Sequence, residues 1–112
     1  MMAVLAPRST EGTQGRWVMD QIAKHDTRAI LQAATEAIAF DSSGWLGEVA
    51  VPSAVVLTTN DQVVSPDIQR ELCRVLAKPV VHELEGDHFV CVKRPEAFNA
   101  ALLAACAGCS EN

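Results

Sequence analysis

The strongest constraint on how this chain folds is the order of patterns across residues 51–92, VPSAVVLTTNDQVVSPDIQRELCRVLAKPVVHELEGDHFVCV. Ala54, Val55, Val56 and Leu57 form a nearly continuous apolar run, the mark of a parallel strand buried on both faces. Pro52 stands just ahead of it, where a missing amide proton costs little at a strand start. A strand is therefore expected over 53–58, followed by a polar turn over 59–64 that carries Asp61. Ser65 can cap a helix and Pro66 suits its first position. Ile68, Leu72, Val75 and Leu76 fall at i, i+4, i+7 and i+8, which predicts a helix over 65–77 with that face on a sheet. Lys78-Pro79 ends it. A second strand, shorter and more polar as suits an edge, is predicted over 80–84, and the turn after it ends in His88. Strand, helix, strand in this order is a βαβ unit, with an acid and an imidazole just beyond the carboxyl ends of its strands. Open parallel sheets site their chemistry along that edge.

The flanks are simpler. Residues 1–15 are rich in Gly, Ser, Thr, Pro and charge and read as a flexible segment. Trp17, Val18, Met19 and Ile22 predict a short helix over 16–24, interrupted by His25-Asp26-Thr27. Asp26 or Thr27 can cap a second helix by accepting hydrogen bonds from its free amides. Ile30, Ala34 and Ile38, at i, i+4 and i+8, give that helix its apolar face. Asp41-Ser42-Ser43-Gly44 is turn chemistry. Trp45 reads as core or interface. Pro95 opens a final helix with Phe98, Ala101, Leu102 and Ala105 inward, and residues 108–112 read as a tail.

Composition excludes several functions. The chain has 9 Lys plus Arg against 14 Asp plus Glu, and no basic face for phosphates. A nucleic-acid partner is therefore not expected. No run approaches the roughly 20 apolar residues of a membrane span, and MMAVLAPRST lacks the basic leader and long apolar core of a signal peptide. A cytoplasmic protein without a membrane partner is expected. Cys73 and Cys91 sit in apolar patterns and read as reduced, packed thiols. Cys106 and Cys109 form a CxxC, which reads either as a helix end or as a redox pair or half a zinc site. A zinc site wants two more ligands and none lie nearby in sequence. No metal or cofactor is expected.

A carboxylate and an imidazole at the tips of adjacent parallel strands can hydrogen-bond. Asp61 would accept the Nδ1 proton of His88, fix its tautomer and stabilise the imidazolium, leaving the other nitrogen as general base. The alternative is two solvated loop residues. Asp87 is a second candidate carboxylate, but adjacent side chains in a turn seldom face each other. His82 on the outer strand is expected outward and solvated, and His25 at the surface. Trp17 and Met19 could line a pocket or simply pack. Ser42 and Ser43 are expected to be turn residues.

Residues 45–105 resemble the C-terminal part of the α/β-hydrolase family. The resemblance is carried by Val51-Pro52 through Val56, then by Thr58-Thr59-Asn60-Asp61-Gln62-Val63-Val64-Ser65-Pro66. The family commonly has G-x-x-D-x-x-V-P there. It continues in Gly86-Asp87-His88-Phe89, like the family's G-x-H turn, and in Pro95-Glu96-Ala97-Phe98 at a helix start. Thr58 stands where glycine is usual. The resemblance implies Asp61 as triad acid and His88 as triad base. It also implies a partial α/β-hydrolase fold: two parallel strands with flanking helices over 45–107, preceded by cap- or lid-like helices over 16–44. The family's nucleophile lies in a G-x-S-x-G turn, and this sequence has none; the glycine-rich oxyanion segment is missing too.

Two expectations follow. One is the acid-and-base portion of a hydrolase, acting on a small ester-like substrate once a nucleophile-bearing N-terminal half completes it. The other is a catalytically inactive remnant or interaction module. Either way, the acid-bearing strand would lack a neighbour on one side, and an unpaired edge favours self-association.

Overall fold

A computed structural model of the chain describes residues 13–110. The expectations for residues 1–12 and for 111–112 fall outside the described residues. The chain divides into two units, one running up to Asp41 and the other Ser42–Asn112.

The first unit holds α1 (Thr13–Lys24) and α2 (Thr27–Ala39). α1 begins three residues ahead of the expected start at Arg16. Asp26 caps α2, its carboxylate accepting the Arg28 N–H at 2.8 Å, which satisfies an amide that has no partner within the helix. Trp17, Leu31 and Ile38 remain exposed.

The second unit opens with a single 3₁₀ turn (Leu46–Glu48) and continues as β1 (Ala54–Thr58), α3 (Pro66–Val75), β2 (Val80–Leu84), α4 (Val90–Lys93) and α5 (Pro95–Ser110). β1 and β2 pair in parallel, from Ala54 opposite Val80 to Thr58 opposite Leu84. α5 lies against both strands and α3 against β1. The unit is thus a mixed α/β arrangement around a two-stranded parallel sheet. Its core is small: Leu57 of β1, Val90 of α4 and Ala105 of α5 are the buried apolar residues among those described.

Several inward faces differ from expectation. On α3, Ile68 is 61% exposed and Leu72 is exposed as well. Val75 and, just past the helix, Leu76 are half-buried as expected, and so are Gln69 and Cys73. The Gln69 amide faces β1 and hydrogen-bonds the backbone of Thr58, and the Ile68–Leu72 stripe lies to one side of it, toward solvent. On α5, Phe98 and Ala101 are half-buried and Ala105 is buried as expected, but Leu102 is exposed. His82 is half-buried rather than solvated, and its Nε2 has no hydrogen-bond partner among the described residues. The cause is strand alternation: Val80, His82 and Leu84 share one face of β2 while Val81 and Glu83 share the other. A Cβ on Gly108 would meet Val80 at 3.3 Å, so the His82 face is the one toward α5. Cys91 is exposed, not packed. α5 extends through Ser110, so both CxxC cysteines lie within the helix and not at its junction with a tail.

The edge of β1 away from β2 has a defined pattern. Val80 N–H donates to Ser53 O and Thr59 N–H to Leu84 O. The odd-numbered rungs of β1 therefore bond to β2, and Ala54, Val56 and Thr58 turn their backbone groups to the free edge.

Candidate active site

The parallel ladder runs past the strand ends into both polar turns. Thr59 N–H donates to Leu84 O at 3.1 Å, and Asn60 N–H donates to Gly86 O at 3.0 Å. These bonds tie the loop bearing Asp61 to the turn bearing His88, so the two side chains leave neighbouring strand tips in a fixed relation.

Asp61 organises its own loop. Oδ1 accepts the N–H groups of Val63 and Val64, each at 2.9 Å, and the chain then enters α3 with Ser65 accepting the Ile68 N–H at 3.4 Å. Oδ2 accepts the Thr58 hydroxyl at 2.9 Å and lies 3.0 Å from His88 Nδ1. The Asp61 side chain is 4% exposed and that of His88 43%. Burial is the largest single influence on the Asp61 carboxyl and pushes its pKa up. The Val64 amide, His88, the Val63 amide and the Thr58 hydroxyl together outweigh it, and the carboxyl is held below its ordinary value.

The His88 turn is shaped by a close approach. A Cβ on Gly86 would lie 2.4 Å from Val90 Cγ2, and Val90 is core. Gly86 does not have a positive φ, so glycine is needed here for space and not for conformation. Asp87 O accepts the Val90 N–H at 3.0 Å, starting α4, a short helix for which the sequence carries no clear signal. The Asp87 carboxylate accepts the Phe89 N–H at 2.9 Å and pairs with Lys93. Lys93 is the main reason its pKa lies below the ordinary value. Of the two candidate carboxylates, Asp61 therefore meets the imidazole, and Asp87 is engaged elsewhere. The Phe89 ring stands edge-on to His88, with centroids 5.6 Å apart and planes at 85°.

The proton positions follow from the acceptor chemistry. A carboxylate held ionised can only accept. Both hydrogen bonds to Oδ2 are therefore donated to it, one by the Thr58 hydroxyl and one by His88 Nδ1–H. In the neutral ring this places the lone pair on His88 Nε2, where it can take a proton from a nucleophile or water.

Gln69, which sequence patterning passed over, sits behind this pair. Its Oε1 accepts the Thr58 N–H at 2.9 Å. Its Nε2 donates to Val64 O at 2.8 Å and to Thr58 Oγ1 at 3.0 Å. The available signal was its phase: Gln69 stands in register with Cys73 and Leu76, at i, i+4 and i+7.

Cys106 and Cys109 are free, and among the described residues no group of three His, Cys, Asp or Glu side chains is placed to hold a metal. An open apolar cleft runs between the free half of β1 and α5, lined by residues including Ala54, Val56, Phe98, Leu102 and Cys109. Trp17 and Met19 belong to the other unit. Among the described residues no helix is long and apolar enough to cross a membrane. Compared with protein-family models, curated proteins and solved structures, the chain finds no match.

Proposed function

We propose that this chain supplies the acid and base of a nucleophile–His–Asp triad of the α/β-hydrolase type, hydrolysing an ester or related bond. The observation that carries this is the 3.0 Å contact between Asp61 Oδ2 and His88 Nδ1, made by two loops at the carboxyl ends of adjacent parallel strands. The resemblance of residues 45–105 to that family supports it. His88 Nε2 takes the proton of a hydroxyl or thiol nucleophile as that atom attacks the substrate carbonyl. Asp61 stabilises the resulting imidazolium, which then protonates the leaving group. The nucleophile comes from a polypeptide segment outside these 112 residues.

A second reading, an interaction module with an idle Asp–His pair, is favoured by the open backbone rungs on the free edge of β1. Turnover of p-nitrophenyl acetate separates the two. With a small thiol added as the nucleophile, the hydrolase reading expects ester cleavage above that of the same thiol with free imidazole, lost in His88→Ala and reduced in Asp61→Asn. Equal rates for the protein, both variants and matched imidazole would refute it.

A further inference from the structure

Resting on the hydrolase reading, we infer that Thr58 and Gln69 are positioning residues, a directional hydrogen-bond relay that orients the Asp61 carboxylate and so holds His88 in its Nδ1–H tautomer. The direction of each bond in the relay is determined. Gln69 faces two groups whose roles are fixed: the Thr58 N–H, which only donates, lies 2.9 Å from Oε1, and the Val64 carbonyl, which only accepts, lies 2.8 Å from Nε2. Flipping the amide would set donor against donor and acceptor against acceptor. With the amide fixed, Nε2 also donates to Thr58 Oγ1 at 3.0 Å. A hydroxyl has one proton. Two acceptors lie within its reach: Gln69 Oε1 at 3.3 Å, which already takes the Thr58 N–H, and the Asp61 carboxylate at 2.9 Å, so the shorter, charge-assisted bond to Oδ2 takes the proton.

Oδ2 is thus held between two donors, the Thr58 hydroxyl and His88 Nδ1, while the Val63 and Val64 amides hold Oδ1. The carboxylate cannot rotate without breaking bonds at both oxygens. Gln69 acts twice, since the same amide also accepts the Thr58 N–H on the open edge of β1. It stands where a neighbouring strand would be and keeps the tip of β1 in place beneath the acid loop. Half-burial of Thr58 and Gln69 shields the relay from competing water.

NMR of the full chain tests this. In the wild type, long-range ¹H–¹⁵N correlation is expected to show His88 protonated at Nδ1, with the Thr58 hydroxyl proton protected from exchange. Thr58→Val and Gln69→Leu are expected to raise the exchange rate of the His88 Nδ1 proton by about fivefold, the scale of one lost hydrogen bond. Thr58→Ser, which keeps the hydroxyl, restores the wild-type rate. Amide exchange of Leu57, unchanged across the set, separates this effect from general loosening. An unaltered Nδ1 proton in both variants overturns the inference and leaves the hydrolase reading standing. So does a wild-type Thr58 hydroxyl exchanging as fast as a free one, a measurement that needs no variant to fold. A wild-type His88 protonated at Nε2 overturns both.

Discussion

Asp61→Asn exchanges one oxygen for an NH₂ and separates the roles of the two carboxylate oxygens. Asn retains one oxygen for the Val63 and Val64 amides, but presents an NH₂ where Oδ2 now accepts from Thr58 and His88. The Thr58 hydroxyl, already accepting from Gln69, meets a second donor, and His88 must turn a lone pair to Nδ1. Bonds to a charged acceptor contribute about 1.5–3 kcal/mol each when desolvated. The His88 bond contributes less because that ring is 43% exposed, and loss of the buried charge relieves the desolvation that acts most strongly on Asp61. A net loss of about 1–2 kcal/mol follows, or roughly 5–15 °C in Tm for a domain of this size. The pH dependence carries a definite sign. The folded carboxyl titrates below its ordinary value, so its contribution is full above the unfolded pKa and is lost as pH falls through the folded one. Thermal melts followed by circular dichroism should therefore show wild type and variant apart at neutral pH and converging in acid, where protonated Asp61 resembles Asn. A gap that stays constant from neutral pH into acid would refute the ionised, four-bonded carboxylate.

Other perturbations probe the frame. Gly86→Ala places a methyl against Val90 and should destabilise by about 1–3 kcal/mol, with the His88 Nδ1 proton exchanging faster; a wild-type denaturant midpoint would contradict the close approach. Lys78 has a φ of 51°, costly for a residue with a long side chain, so Lys78→Asn should raise the melting midpoint by a few degrees, and a fall would count against the left-handed turn. Ser65→Ala removes the cap of α3 and should cost about 1 kcal/mol in chemical denaturation. The open rungs at Ala54 and Val56 can pair antiparallel with the same rungs of a second copy about Val55, so sedimentation should show a mass that rises with concentration. Ala54→Pro, which removes an edge-facing N–H but no bond to β2, should suppress that rise; persistence of the rise would place the contact elsewhere.

Much of the frame was legible in the residues. The apolar run 54–57, the Ser65-Pro66 helix start and the Lys78-Pro79 stop are local signals, and the elements they predict lie at those positions. Asp61 and His88 were readable as candidates because strand ends in a βαβ unit face the same way. What patterning could not supply was long-range. Hydrophobic period points to Ile68, Leu72, Val75 and Leu76 as the inward face of α3, yet Ile68 and Leu72 are exposed, and Gln69 is the residue that bonds β1, across 11 positions, at Thr58. The polarity of His82 points to solvent, whereas its side is dictated by the strand alternation it shares with Val80 and Leu84.

By itself, then, the order of residues determined which segments become strand or helix and where polar turns fall, because those depend on neighbours a few positions away. Only the tertiary structure decided which carboxylate meets the imidazole, since Asp61 and Asp87 are chemically alike and differ in what surrounds them. The parallel register and the bond from Asn60 to Gly86 bring Asp61 to His88, while Lys93, one turn of helix further on, draws Asp87 away.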